Sequence, residues 1–357
     1  MSSAPCRVQT SDLANGVQAV TVENDQIKVT VLPNKGADIY ELIHVPSGID
    51  VMWKSLLGVR APTHGWFASD SQTAWLEMYE GGWQELFPNG GDACQYKGVE
   101  LNFHGESSTL PWQYEIVKEG GDEAVIDFSV QLFRSPLRCT RRMILRAGEG
   151  HLCLQETMTN LAGEPIDFMW GHHPAYGAPF LSGDTRIYTN AQTIWADGTH
   201  DLPHVVLLPG AKAQWPHGEA RAGRTIDMSR VPGEDEPRNT LAYLMDFAGP
   251  PWYALVNHQL GVGVGLAWSA EVFRYLWFWQ EMYGSSGFPF YKRTYTMALE
   301  PWSSIPGQGL VNVMNSTKSH LTLEAGASLA AELTVGLFEA RTGVKRFGLD
   351  GAVEPTA

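Results

Sequence analysis

The chain of 357 residues carries 39 Asp and Glu against 25 Lys and Arg, a net charge of −14, with hydrophobic residues at 44 % and charged ones at 18 %. That composition excludes a disordered chain, and an acidic balance with no Lys/Arg-rich run makes nucleic acid and anionic membrane surfaces poor partners. A small molecule of neutral or modest charge suits it better. Thirteen Trp, twelve Tyr and fourteen Phe beside 37 Gly and 21 Pro hint at carbohydrate, since aromatic faces pack on the C–H faces of sugar rings, although a β core rich in aromatics would have the same composition. No stretch of about 18 apolar residues and no apolar leader occurs, and Cys6, Cys94, Cys139 and Cys153 show neither a C-x-x-C pair nor a zinc-ligand spacing. Reduced thiols and a cytoplasmic location are expected.

Period-two alternation dominates the chain. It predicts half-buried strands over 15–23, 26–32, 127–132, 138–146, 151–159, 262–268, 319–324 and 329–338, many divided by Gly, Asn or Asp turn signals such as Gly120-Gly121-Asp122. A short helix fits Ser71–Tyr79, where Gly81 and Gly82 would stop it, and no long amphipathic repeat competes with the strands. Strand after strand with Gly/Pro-rich connections implies an all-β, mostly antiparallel sandwich or barrel. The polar segment 209–239 reads as a long surface loop and Gly351–Ala357 as a frayed tail. No interdomain linker is visible, so residues 1–357 are expected to form a single domain with its core at about 15–340.

Three segments concentrate polar side chains among aromatics: 83–91 with 102–106, then 170–177, then 277–281 with 298–302. His172 and His173 are adjacent, so in extended chain their side chains point to opposite faces and cannot ligate one metal. Only one enters a given pocket. Pro174 holds His173 in extended geometry, and Pro301 does the same for Glu300. Glu300 ends the run Tyr295–Leu299, which offers few charges to solvate it; its carboxylate is either a buried structural acid or a held catalytic base.

Residues 170–180 resemble the Asn-His-x-Tyr-Phe segment of the aldose 1-epimerases, or galactose mutarotases; 101–105 is similar to their Leu-His-Gly, and 298–301 to their Leu-Glu-x-Gln strand. The stretch 262–280 is similar to the strand pair leading to their Gln-Phe-Tyr motif. Order and rough spacing hold from about residue 15 to 340, closest to a divergent mutarotase-like branch of unknown function. The resemblance implies a galactose mutarotase-like β-supersandwich and an epimerisation at the anomeric carbon of an aldose that needs no cofactor and no metal. It also implies roles: Glu300 as general base on the anomeric hydroxyl, His173 as general acid on the ring oxygen, and His104 as hydrogen-bonding partner of the sugar. His172 is the lesser candidate for the acid. Asp246 matches an acid that binds ring hydroxyls, and Asn89, His172, Trp279 and Gln280 are expected around the substrate.

The chemistry needs these residue types independently. Opening the ring removes a proton from the anomeric hydroxyl while the ring oxygen gains one, so one base and one acid suffice. At neutral pH a carboxylate is ionised and an imidazole needs only a small upward shift to be protonated. The sequence departs from the family where active members carry an Asn-Arg pair and this chain has Asn89-Gly90-Gly91, and at Glu106, where the family has a second Gly. Lys292, Arg293 and Arg274 lie near the third segment and could serve an anionic sugar or be plain surface charges. Two other classes stay open: a non-catalytic sugar-binding protein, and a glycoside hydrolase or lyase with Glu85, Glu106 or Glu281 as a second acid. The identity of the sugar and the oligomeric state are not legible.

Overall fold

Alternation in the sequence becomes antiparallel sheet in the computed structural model, which describes residues 5–13, 15–60 and 68–356 and holds 51 % of the chain in strands and 6 % in helix. In chain order the longer strands of the main sheet begin with β1 (Cys6–Asp12), β2 (Gln18–Glu23), β3 (Ile27–Leu32), β4 (Asp38–His44), β5 (Trp83–Leu86), β6 (Gln113–Gly121) and β7 (Glu123–Gln131). They continue with β8 (Leu137–Arg146), β9 (His151–Asn160), β10 (Gly171–Gly177), β11 (Thr185–Thr189), β12 (Thr193–Ala196) and β13 (Lys212–Gln214). The last six are β14 (Arg238–Met245), β15 (Trp252–Asn257), β16 (Val262–Trp268), β17 (Tyr275–Met282), β18 (Tyr295–Trp302) and β19 (Ser328–Glu339).

One layer runs β13–β12–β14–β17–β18–β10–β5–β4–β3–β2–β1, every pair antiparallel. Strand β1 passes the ladder to the second layer, β6–β7–β8–β9–β19–β16–β15–β11. The main core lies between them, where Val20, Val29, Leu42, Phe278 and Leu299 of the first layer join Phe128, Leu154, Val264 and Leu333 of the second. This is the all-β sandwich that the alternation implied. A separate aromatic cluster, including Trp75, Tyr79, Tyr243, Trp277 and Trp302, covers the outer face of the first layer. Among the described residues no helix is long and apolar enough to cross a membrane, and all four cysteines are free.

Two expectations fail locally. The segment 209–239 is not one loop: it supplies β13 and a hairpin of His217–Ala220 with Arg224–Asp227. The tail is tied down, because Val353–Pro355 pairs with Val344–Phe347. Polar sequence concealed both, since short edge pairs bury too little to show alternation. Strands β10, β17 and β18 show no alternation for the opposite reason, being buried almost throughout, so that no polar face marks the period, and only the resemblance placed strands on β17 and β18.

Candidate active site

Strand parity decides which side chains meet. In β10, His172 and Tyr176 point into the inter-layer core while His173 points outward; in β17, Trp277 and Trp279 point outward while Leu276, Phe278 and Gln280 point in. Strand β18 lies between them, Gly171 opposite Trp302 and Ala175 opposite Ala298 on one side, Trp277 opposite Glu300 on the other. His173, Glu300 and Trp277 therefore form one row across three strands. Nε2 of His173 is 3.6 Å from Oε1 of Glu300, and the second carboxylate oxygen accepts the indole N–H of Trp302 at 2.9 Å.

Loops complete a cavity of about 370 Å³ over this row. Helix α1 (Ser71–Glu77) begins where Asp70 accepts the Thr73 N–H at 2.8 Å, and it delivers Trp75, whose indole donates to Ser108 and whose ring stacks on Tyr79 at 4.6 Å. The Tyr79 hydroxyl is 3.4 Å from Nδ1 of His173. The turn after Leu101 bears Phe103 and His104, the latter at φ 56°. Its Nδ1 accepts the Gly91 N–H at 3.2 Å, leaving the ring proton on Nε2. Gly91 has φ 69°, and a Cβ there would lie 1.7 Å from the carbonyl oxygen of Gly307, so no other residue fits. Asp197 organises a further loop by accepting the N–H groups of Thr199 and His200 at 2.7 and 2.9 Å and the Gln308 amide at 2.8 Å. Thr199, His200, Asp201 and Gln308 then line the mouth with Trp279 and Phe290.

Burial pushes the Glu300 carboxyl up to about 8, only partly opposed by the Trp302 N–H, and pushes His173 down to about 4. His104 is held well below its ordinary value by burial and by His173 beside it. The expectation of an ionised carboxylate and a slightly basic imidazole runs against this environment, since desolvation among aromatic rings disfavours the charged form of Glu300 and of both histidines. No Lys or Arg lines this cavity among the described residues. Lys292 and Arg293 are exposed, and Arg274 is bound to the Ser303 and Ser319 carbonyls.

Four residues expected at the substrate lie elsewhere. His172 faces the core, where its Nδ1 accepts the Trp83 indole N–H and its Nε2–H meets Glu156, both at 3.1 Å. Gln280 is buried on the same inner face and accepts from Thr240 at 2.8 Å. Asn89 is a buried pin: its amide donates to the Asp92 and Asn102 carbonyls, and its oxygen accepts the Leu310 N–H at 2.7 Å. Asp246 sits exposed after β14, off the cavity. Parity explains the first two. Trp75, Tyr79, His200 and Gln308 were missed, and only the abundance of aromatics pointed toward the first pair.

The acids reserved for a hydrolase are all engaged away from Glu300. Glu106 accepts the Phe133 and Arg134 N–H groups across a second cleft, and Glu281 accepts those of Gly284 and Ser285. Glu85 accepts from the Trp170 indole at 2.9 Å, from Cys139 and from Arg141. Together with Glu156 and His172 it forms a group whose ligand atoms gather within 4.8 Å. The donors do not suit a metal ion: the Trp83 N–H occupies one nitrogen of His172, the proton is then on the other, and Arg141 already supplies the cation.

Comparison with solved structures agrees with the fold. A Klebsiella pneumoniae protein with a provisional aldose 1-epimerase assignment superposes with a TM-score of 0.70 at 17 % identity, over 94 % of this chain and 84 % of that one. A galactose mutarotase-like protein from Clostridium acetobutylicum gives 0.66 at 16 % identity, over 94 % and 99 %. A galactose mutarotase related enzyme from Lactobacillus acidophilus gives 0.58 at 15 %, over 92 % and 100 %. A search of curated proteins returns no match. The fold is that of the galactose mutarotase-like proteins. The family model for DUF4432, a domain of unknown function, matches residues 14–337, and the chain belongs to that family.

Proposed function

We propose that the protein is an aldose 1-epimerase that interconverts the anomers of an uncharged sugar. The observation that carries this is the pair His173–Glu300, 3.6 Å apart at the base of an aromatic cavity. The two oxygens that exchange a proton in mutarotation, the anomeric hydroxyl and the ring oxygen, share one carbon, so a single acid and base must stand close together. Glu300 takes the anomeric proton and His173 protonates the ring oxygen as the C1–O5 bond breaks to the open-chain aldehyde. Rotation about C1–C2 and the reverse transfers close the ring in the other configuration. The pair must hold one proton between them, and burial, which raises Glu300 and lowers His173, favours that state near neutral pH. Sugar hydroxyls replacing lost water around the carboxylate draw that proton toward His173.

The rings of Trp75, Trp277 and Trp279 offer stacking faces for a sugar, and the Nε2–H of His104 is a donor to its hydroxyls. An anionic sugar would enter without a Lys or Arg partner among the described lining residues. Of the acids that a hydrolase could draw on, Glu85, Glu106 and Glu281 do not line this cavity, and Asp92 and Asp201, which do, are exposed. The test is anomeric-proton NMR on freshly dissolved pure anomers of a panel of neutral sugars. Glu300→Gln should lose turnover by about 10²–10⁴ while calorimetric sugar affinity changes little. Unchanged interconversion in a folded Glu300→Gln protein that still binds the sugar removes the mechanism and favours a binding protein.

A further inference from the structure

Glu300 is nearly naked. Among the described residues its Oε1 has only the distant imidazole of His173, and its Oε2 has one hydrogen bond, from Trp302. Trp302 is itself fully buried and closely packed. Its ring stacks on Trp277 at 4.3 Å with an interplanar angle of 17°, and Trp277 is fixed by donating to the Ser304 carbonyl at 2.8 Å. On the other side two glycines make room for the indole. A Cβ on Gly171 would come within 2.1 Å of that ring, and one on Gly90 within 2.6 Å. Neither glycine has a positive φ, so each is required here by space and not by backbone conformation.

We infer that Trp302 is the positioning residue for Glu300: locked between Gly90, Gly171 and Trp277, its indole N–H anchors Oε2 and leaves Oε1 facing His173. The inference rests on the epimerase reading for its consequence in turnover. Its structural content, an indole hydrogen bond that favours the ionised carboxylate, stands apart from that reading. Gly90 then has a reason of its own, since any side chain there would push the indole away from the carboxylate.

The experiment is Trp302→Phe, which keeps a ring in the slot and deletes the N–H. Two readouts are compared with the parent protein: the carboxylic-acid C=O infrared band of Glu300, identified by its loss in Glu300→Gln, followed against pH; and the pH profile of kcat and KM for anomer interconversion. His173, His104, Tyr79 and Tyr253, the titratable groups around Glu300, are unaltered. Expected are a titration and a basic limb both moved to higher pH, with kcat down roughly tenfold at neutral pH and KM within about twofold. Gly90→Ala, which retains the N–H but displaces the ring, should show the same shift. Should Trp302→Phe fall in thermal midpoint with the Glu300 band titrating at the parent pH, Trp302 is packing only and the inference fails. Should the parent protein interconvert no anomers while the band still shifts in Trp302→Phe, the epimerase reading fails and the anchoring role stands.

Discussion

Two adjacent histidines, each facing a glutamate, make the instructive contrast. On the inner face of β10, His172 is closed on both nitrogens, and its partner Glu156 lies beside Glu85 and the buried Arg141. On the outer face one residue later, His173 meets Glu300 at 3.6 Å, in a cavity that no Lys or Arg lines among the described residues. The chemical groups are the same and burial shifts both sets, and even the inner one leaves Oε1 of Glu156 and Nε of Arg141 without a partner. What separates them is access: only the outer pair opens onto a cavity that a small molecule could enter.

Substitutions break this contrast in a graded way. The largest effect is expected from His173→Asn, which should cost about 10²–10⁴ in anomer turnover with little change in thermal midpoint. Next comes Arg141→Met: removing the one fixed cation from Glu85 and Glu156 should destabilise the fold by about 3–5 kcal/mol in denaturant titration, with affinity for sugar in the remaining folded protein unchanged. His172→Asn, the mirror of the first substitution, should lower stability by about 1–3 kcal/mol and leave turnover within roughly tenfold. Equal losses of turnover at 172 and 173 would erase the contrast.

A smaller effect should appear in the pH dependence of stability. Folded Glu85 and Glu156, raised to about 7, and Glu300, raised to about 8, retain protons that the unfolded chain releases near 4.5. Their contribution is present below 4.5 and is lost as pH rises through those folded values. His172 and His173, lowered from 6.5 to about 4, act oppositely, adding stability as pH rises from 4 to 6.5. The two trends offset each other up to about 6.5, beyond which the carboxyls act alone. The thermal midpoint should therefore fall between about pH 6.5 and 8, and the fall should be shallower in Glu300→Gln. The smallest effect belongs to Asp246→Asn, which keeps a residue that tolerates the positive φ of 58° there; turnover and stability should match the parent protein, since the side chain is exposed and off the cavity.

Much of the sheet was legible because a half-buried strand advertises its parity: β3, β8, β9 and β19 each alternate visibly. The strands that build the site do not, since β10, β17 and β18 bury both faces and their sequences read as apolar runs. That is why extended-chain geometry said only that one of His172 and His173 enters a pocket, the choice of His173 coming from the resemblance, and why Gln280 was taken for a wall residue when Trp279 beside it is one. Loop residues were less legible still. Trp75 reaches the cavity because Asp70 starts a helix and Ser108, 33 positions away, holds the indole, a pairing no local pattern announces. Ionisation was misjudged for the same reason: residue type gives the ordinary pKa, while the shift comes from the surroundings the fold assembles.

The position of Asn89 bears on how the site comes into being. It ties the loop beside Gly90 and Gly91 to the Leu310 N–H, across 221 positions of sequence. Closing so long a loop is an entropic cost met before any of its contacts form, so early local hairpins cannot assemble the cavity. The cavity is then expected to assemble after the local hairpins: those of the second layer form from neighbours in sequence, whereas the cavity needs Asn89 and Leu310 to meet.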